Sequence, residues 1–322
     1  MPGRQSGLRL RLLAVAVLLA AGVSTGAAAD GGASAATSVA APGPERVAHW
    51  TAPGDTAQLG RYWTAHRLAA ASPATVPASR RAAAPTAPGK PSAGTTLARP
   101  AAPTSTHFTG VADVGTIAYT SGGQDHRATA SVVTSPRRNL IVTAAHVLLG
   151  ARDVVFIPKY HDGAKPFGDW LVDKVYIDSR YVKSHDADLD FALATIRVRN
   201  GRTLQSVTGA NGLVTSRGFV NRVRVIGYPA AKYQPAGRDE PVHCSNTTRR
   251  FRTYRYQVEF DCAGFPNGTS GSPWILRYDS HTGLGYTNGV IGGYDQGGPS
   301  SSVSTTSYFD DDIKQLYATA RG

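Results

Sequence analysis

Between residues 108 and 309 the chain is a succession of short apolar runs, each rich in β-branched or aromatic residues and bounded by Gly, Pro, Asn or Asp. The runs are Val114–Tyr119, Ala128–Val133, Leu140–Thr143, Val154–Pro158, Phe191–Val198, Val223–Ile226, Tyr254–Phe260, Trp274–Tyr278 and Gly289–Gly293. No intervening stretch sustains an apolar period of 3.6 residues, so strands joined by turns are expected. This is an all-β pattern of sandwich or barrel type. The end of the chain is the exception. Asp310 can cap a helix, Asp311 and Asp312 suit its first turn, and Ile313, Leu316 and Tyr317 share one face, which predicts a short C-terminal helix over 311–320.

The first hundred residues read differently. Arg4, Arg9 and Arg11 precede the apolar run Leu12–Ala21, and Ala27-Ala28-Ala29 offers a small-residue cleavage site. That is the layout of a secretory signal over residues 1–29, too short to span a bilayer. Export to the extracellular space is expected, with no membrane attachment once the signal is cut. From 30 to 106 the composition is Ala, Pro, Ser, Thr and Gly with few aromatics, which predicts a disordered pro-segment or linker. Arg80-Arg81 is a candidate processing point. Only His49-Trp50 and Tyr62-Trp63 could fold or dock onto the strand-rich domain.

The formal net charge of +12 does not point to nucleic acid. Ten of the 34 Lys and Arg, but only three of the 22 Asp and Glu, precede residue 107. The remaining basic residues are scattered apart from those between Arg249 and Arg255, which read as the exposed face of a strand. Cys244 and Cys262 are the only cysteines, and in an exported chain two cysteines most simply form one disulfide. Neither Cys-x-x-Cys nor His-Glu-x-x-His spacing occurs, so no zinc site or other cofactor is expected.

Three stretches carry chemistry. In Leu140-Ile141-Val142-Thr143-Ala144-Ala145-His146, an apolar strand runs through two small residues and sets an imidazole at its end. In Asp186-Ala187-Asp188-Leu189-Asp190-Phe191-Ala192-Leu193, Asp190 leads into a strand, where an inward carboxylate needs a partner such as an imidazole N–H. Asp188 is the fallback acid. A calcium-type cluster of Asp186, Asp188 and Asp190 competes with this reading, but the glycine and distal glutamate of an EF-hand loop are missing. In Asn267-Gly268-Thr269-Ser270-Gly271-Ser272-Pro273, glycines flank a serine hydroxyl on a tight loop before an apolar strand. A serine is a weak nucleophile without a base, and His146 and Asp190 provide a base and an orienting acid.

The order His146, Asp190, Ser270, together with the Thr-Ala-Ala-His, Asp-Phe-Ala-Leu and Gly-Thr-Ser-Gly-Ser-Pro motifs, resembles that of the chymotrypsin-like serine peptidases. The Ser-Gly-Ser-Pro form resembles the bacterial secreted branch that includes glutamyl endopeptidase-like enzymes. The resemblance covers residues 108–320. It implies two six-stranded antiparallel barrels, here 107–205 and 206–322, with the terminal helix in the second and the active site between them. It also implies a monomeric secreted endopeptidase, made as a zymogen and acting on polypeptides through a Ser-His-Asp triad. Gly268 and Ser270 would supply the oxyanion hole. An α/β-hydrolase is disfavoured because its serine precedes its acid and histidine and sits in Gly-x-Ser-x-Gly.

Departures from the family bear on activation and specificity. Thr269 stands where the trypsin branch has an aspartate that pairs with the new N-terminus. No cysteine pair flanks His146, as in the bacterial relatives. The resemblance would wall the primary pocket with Gly264, Gly292, Gly293 and Tyr294. Gly264 in place of an aspartate disfavours Lys or Arg preference, and no histidine of the glutamate-preferring kind occurs on strand 289–294. Asp295 and Arg277 remain able to reach the pocket. The alternative is a catalytically silent binding module on the same fold.

Overall fold

The computed structural model of the chain describes residues 46–52, 55–74, 101–254 and 256–322. The expected signal, residues 1–29, and Arg80-Arg81 lie outside them.

Residues 46–74, which hold the His49-Trp50 and Tyr62-Trp63 patches, carry secondary structure. Strand β1 (Val47–Thr51), helices α1 (Thr56–Tyr62) and α2 (Ala65–Ala70) and the two-residue strand β2 (Ser72–Pro73) form a folded strap. Asp55 and Thr64 cap the two helices through their side-chain oxygens. Composition marks only those two patches, because the stability of the element is not its own. Leu59, Trp63 and Leu68 are buried against Val114, Ala118, Val155 and Ile157 of the first barrel.

That barrel is preceded by β3 (Thr106–His107) and built from β4 (Val114–Ser121), β5 (Gln124–Val133), β6 (Leu140–Thr143), β7 (Arg152–Pro158), β8 (Trp170–Asp178) and β9 (Ala192–Ile196). Strands β8-β7-β4-β5-β6-β9 pair in that order, and β9 returns to β8, closing a six-stranded barrel. The single-turn helix α3 (Ala145–Leu148) comes after β6, α4 (Ser179–Ser184) after β8, and α5 (Leu204–Thr208) after β9. Inward residues such as Ile117, Val132, Leu140, Phe156 and Leu193 make the barrel core. The opposite face of β4 and β7 is buried too, under the strap, so these strands read as nearly continuous apolar runs.

The C-terminal half comprises β10 (Gly212–Leu213), β11 (Arg222–Gly227), β12 (Val242–Thr247), β13 (Arg249–Arg250), β14 (Gln257–Asp261), β15 (Pro273–Leu276), β16 (Tyr286–Val290) and β17 (Val303–Ser307). One sheet runs β10-β16-β15-β11-β12-β3 and another β13-β14-β17. They share a core of Val225, Phe260, Phe265 and Trp274, into which the Cys244–Cys262 disulfide is built. Arg249 is bound by Glu259 and Asp261, so this part of the basic stretch is neutralised. Helix α6 (Asp311–Ala320) has the expected bounds and the expected cap, Asp310 Oδ1 accepting from Asp312 N. Its Ile313, Leu316 and Ala320 pack on the first barrel's core and clasp the two halves together.

Candidate active site

Asp190 sits at the end of the 3-10 turn Ala187–Leu189, immediately before β9, with its carboxylate buried. His146 opens from α3, and its backbone N donates to Asp190 Oδ1 at 2.9 Å. Its ring Nδ1 lies 2.8 Å from Asp190 Oδ2. A carboxylate only accepts, so Nδ1 is the donor, and in the neutral ring Nε2 holds the lone pair. Gly293 N donates to the same Oδ2 at 2.8 Å. Burial by itself would raise the Asp190 pKa, but the charge of His146 and these hydrogen bonds outweigh it and hold the carboxyl below its ordinary value. Tyr181 also packs on Asp190, and burial together with that carboxylate pushes its phenol up.

Asp188 is not interchangeable with Asp190. Its Oδ1 accepts from Gln257 Nε2 at 2.8 Å, and burial raises its pKa despite that bond. Asp186 caps the 3-10 turn through Asp188 N. The three carboxylates of the proposed calcium-type cluster are thus directed at three different partners.

Ser270 lies between β14 and β15, on a loop held from both sides. Its carbonyl accepts from Thr129 N at 2.8 Å, and Gly271 N donates to Ile291 O at 2.7 Å. Gly271 has φ +83, and a Cβ there would lie 2.1 Å from both Thr129 O and Thr143 Oγ1, so no other residue fits. Ala144, two residues before His146, packs where a Cβ on Gly292 would lie 3.2 Å from it. The Ile291–Gly293 segment therefore fastens all three groups: the serine loop through Ile291, the histidine turn through Gly292, and Asp190 through Gly293.

The loop also aims two donors. Asn267 O accepts from Ala230 N, and Thr269 O accepts from Ser272 N. In a trans peptide the N–H points opposite the carbonyl. The N–H groups of Gly268 and Ser270 are accordingly turned away from these partners, and among the described residues neither has a protein acceptor. His146 Nε2 is buried and likewise makes no hydrogen bond among the described residues. Among the described residues His146 Nδ1 is thus backed by a carboxylate, its Nε2 makes no hydrogen bond to Ser270 or any other group, and the Ser270 loop carries two open N–H donors.

A cavity of about 460 Å³ opens beside Ser270, lined in part by Ala74, Phe265, Pro266, Asn267, Ile291 and Asp295. The four glycine and tyrosine positions expected to wall it are not among its lining residues. Gly264 packs against Ser105, whose Oγ donates to its carbonyl at 3.1 Å. Gly292 and Gly293 serve Asp190, and Tyr294 packs on Phe251 and Tyr254 with ring centroids 5.1 and 5.3 Å away. The pocket is instead carried further along, through 295–301. Of the two charged candidates, Asp295 lines it and Arg277 does not.

A closed six-stranded barrel joined to further sheets, with few helices among the described residues, is the architecture of the chymotrypsin-like serine peptidases. The fold is that of the trypsin-like serine peptidases, and the chain is a serine-type endopeptidase. Residues 128–284 match the family model for the trypsin-like peptidase domain. The chain is similar to the protease Anisep from Arthrobacter nicotinovorans, at 27% identity and a TM-score of 0.59 over 67% of this chain and 98% of that one. It is similar to the thermostable serine protease AL20 from an extremophilic microorganism, at 25% identity and a TM-score of 0.58 over 65% and 97%. A Glu endopeptidase shares the fold at 18% identity and a TM-score of 0.52, over 68% and 98%. No curated protein matches the sequence.

Proposed function

We propose that Ser270, His146 and Asp190 are the catalytic triad of a secreted endopeptidase made as a precursor. The observation that carries this reading is the 2.8 Å contact of His146 Nδ1 with the buried Asp190, which leaves a buried, unpartnered Nε2 to act as base. Ser270 Oγ attacks the scissile carbonyl of a polypeptide as Nε2 takes its proton. Asp190 holds the tautomer and stabilises the imidazolium. The N–H groups of Gly268 and Ser270 bind the oxyanion, each such donor being worth about 3–4 kcal/mol in the transition state. His146 then protonates the leaving amine, and water resolves the acyl-enzyme.

Export rests on the sequence of residues 1–29; among the described residues no helix is long and apolar enough to cross a membrane. A serine-directed fluorophosphonate tests the nucleophile. The mature wild-type protein should label, and Ser270→Ala should not. A wild-type protein that does not label after removal of the pro-segment would be a binding module on a peptidase fold, and the triad reading would be wrong.

A further inference from the structure

The edge of β5 that runs out from beneath Ser270 is already occupied. Strand β6 covers β5 only at Ser131–Val133, leaving its earlier residues open on that side. Thr129 of this edge is bonded to the Ser270 carbonyl. Two residues away the strap takes over. Ser72 pairs with His126 and Pro73 with Arg127 in a parallel register, and Ala74 N donates to Arg127 O at 3.3 Å. Ala74 is 5% exposed and lines the same cavity as Ser270.

An extended peptide binds an exposed strand edge by adding a strand to it. Ser270 is bonded to this edge on one side and, through Gly271, to Ile291 on the other. A substrate whose acyl portion lies along the Ile291 side sends its leaving half past Ala74 and across the β5 edge. The strap tip stands there, and it is firmly anchored. Arg67 bonds Asp125 at 2.8 Å and the Tyr62 hydroxyl at 2.6 Å, and Tyr62 in turn donates to Asp125 at 2.7 Å. Behind this cluster, Leu59, Trp63 and Leu68 are buried.

We propose that residues 72–74 of the strap occupy the leaving-group side of the cleft and so determine which substrates it accepts. Peptides continuing beyond the scissile bond must displace the tip, whereas acyl donors with a small leaving group need not. The inference rests on Ser270 being the nucleophile.

The test uses the full chain with two substrates that share an acyl sequence, taken from cleavage profiling of a peptide library. One continues for three residues past the scissile bond, and the other ends in a p-nitroanilide. Ala74→Pro removes the donor to Arg127 O, and Arg67→Ala loosens the anchor. For each variant, KM for the extended peptide should fall, by about fivefold where one hydrogen bond is lost. For Arg67→Ala, KM for the anilide and the rate of fluorophosphonate labelling should stay at wild-type values. An unchanged KM for the extended peptide, or an equal fall for both substrates, overturns the proposal while labelling persists. Absence of wild-type labelling overturns the nucleophile assignment itself, and the two failures are thereby distinguished.

Discussion

Arg127 Nη1 lies 2.8 Å from Asp239 Oδ2, an ion pair joining the first barrel to the C-terminal half beneath the strap. The guanidinium is completely buried, donates also to Leu68 O of the strap at 3.2 Å, and shares Asp239 with the Tyr160 hydroxyl at 2.9 Å. One cation therefore ties three parts of the chain together.

Removing only the anion should be costly. Asp239→Asn leaves the Arg127 charge buried without compensation, and a loss of about 3–5 kcal/mol in urea unfolding is expected. Arg127→Met combined with Asp239→Leu should regain much of that loss, because it removes the charge along with its partner. If the double variant is less stable than the single one, the pair contributes more than its desolvation costs.

The two candidate acids should separate cleanly in kinetics. Asp190→Asn disturbs the partner of His146 Nδ1 and should lower kcat by about 10⁴. Asp188→Asn should leave kcat within a few-fold of wild type, since Asp188 bonds Gln257. Reversed losses would transfer the orienting role to Asp188.

Asp113 makes stability depend on pH. Burial pushes its carboxyl from the ordinary 3.8 up to about 7, against the hydrogen bond from Asn211. The folded protein thus holds this proton more tightly than the unfolded chain. Its contribution is fully favourable below about pH 4 and is lost as pH rises to about 7, a change of up to about 4 kcal/mol. Asp113→Asn has no such proton to lose. The stability of wild type relative to this variant should fall between pH 4 and 8 in urea titrations, and a pH-independent difference would refute the assignment.

The disulfide closes a short loop within the C-terminal core. Replacing Cys244 and Cys262 together by Ser should lower unfolding stability by about 3 kcal/mol on a loop-entropy argument. Peptidase activity below the unfolding transition should persist, since neither sulfur lies in the site. Loss of activity in a still-folded variant would show that the bond shapes the pocket through Phe265.

The residues of the proposed site could be named from the sequence because their motifs are local. Thr143-Ala144-Ala145-His146 ends a strand and turns in one helical turn, and the small residues are those that admit the Ile291–Gly293 segment. The flanking glycines of Ser270 mark backbone that another residue could not follow. Helix α6 was equally plain from its cap and one-sided apolar face. Strands β8, β12 and β17 were not. Val303-Ser304-Thr305-Thr306-Ser307 shows little apolar alternation, yet it is largely buried because its hydroxyls have partners: Thr305 Oγ1 donates to Gly292 O, and Thr306 Oγ1 accepts from Val290 N.

The sequence by itself determined the strand-rich class, the order of histidine, acid and serine, and the pairing of the only two cysteines. Each of these depends on backbone preference, local spacing or a count. Tertiary structure decided the rest. It turned Asp190 and not Asp188 toward the imidazole, lined the cavity beside Ser270 with residues of 295–301, and folded the strap over the barrel. Those outcomes depend on partners distant in sequence. The Tyr62-Trp63 patch marks where the segment could dock, but no local pattern records the apolar barrel face that buries Trp63 and Leu68.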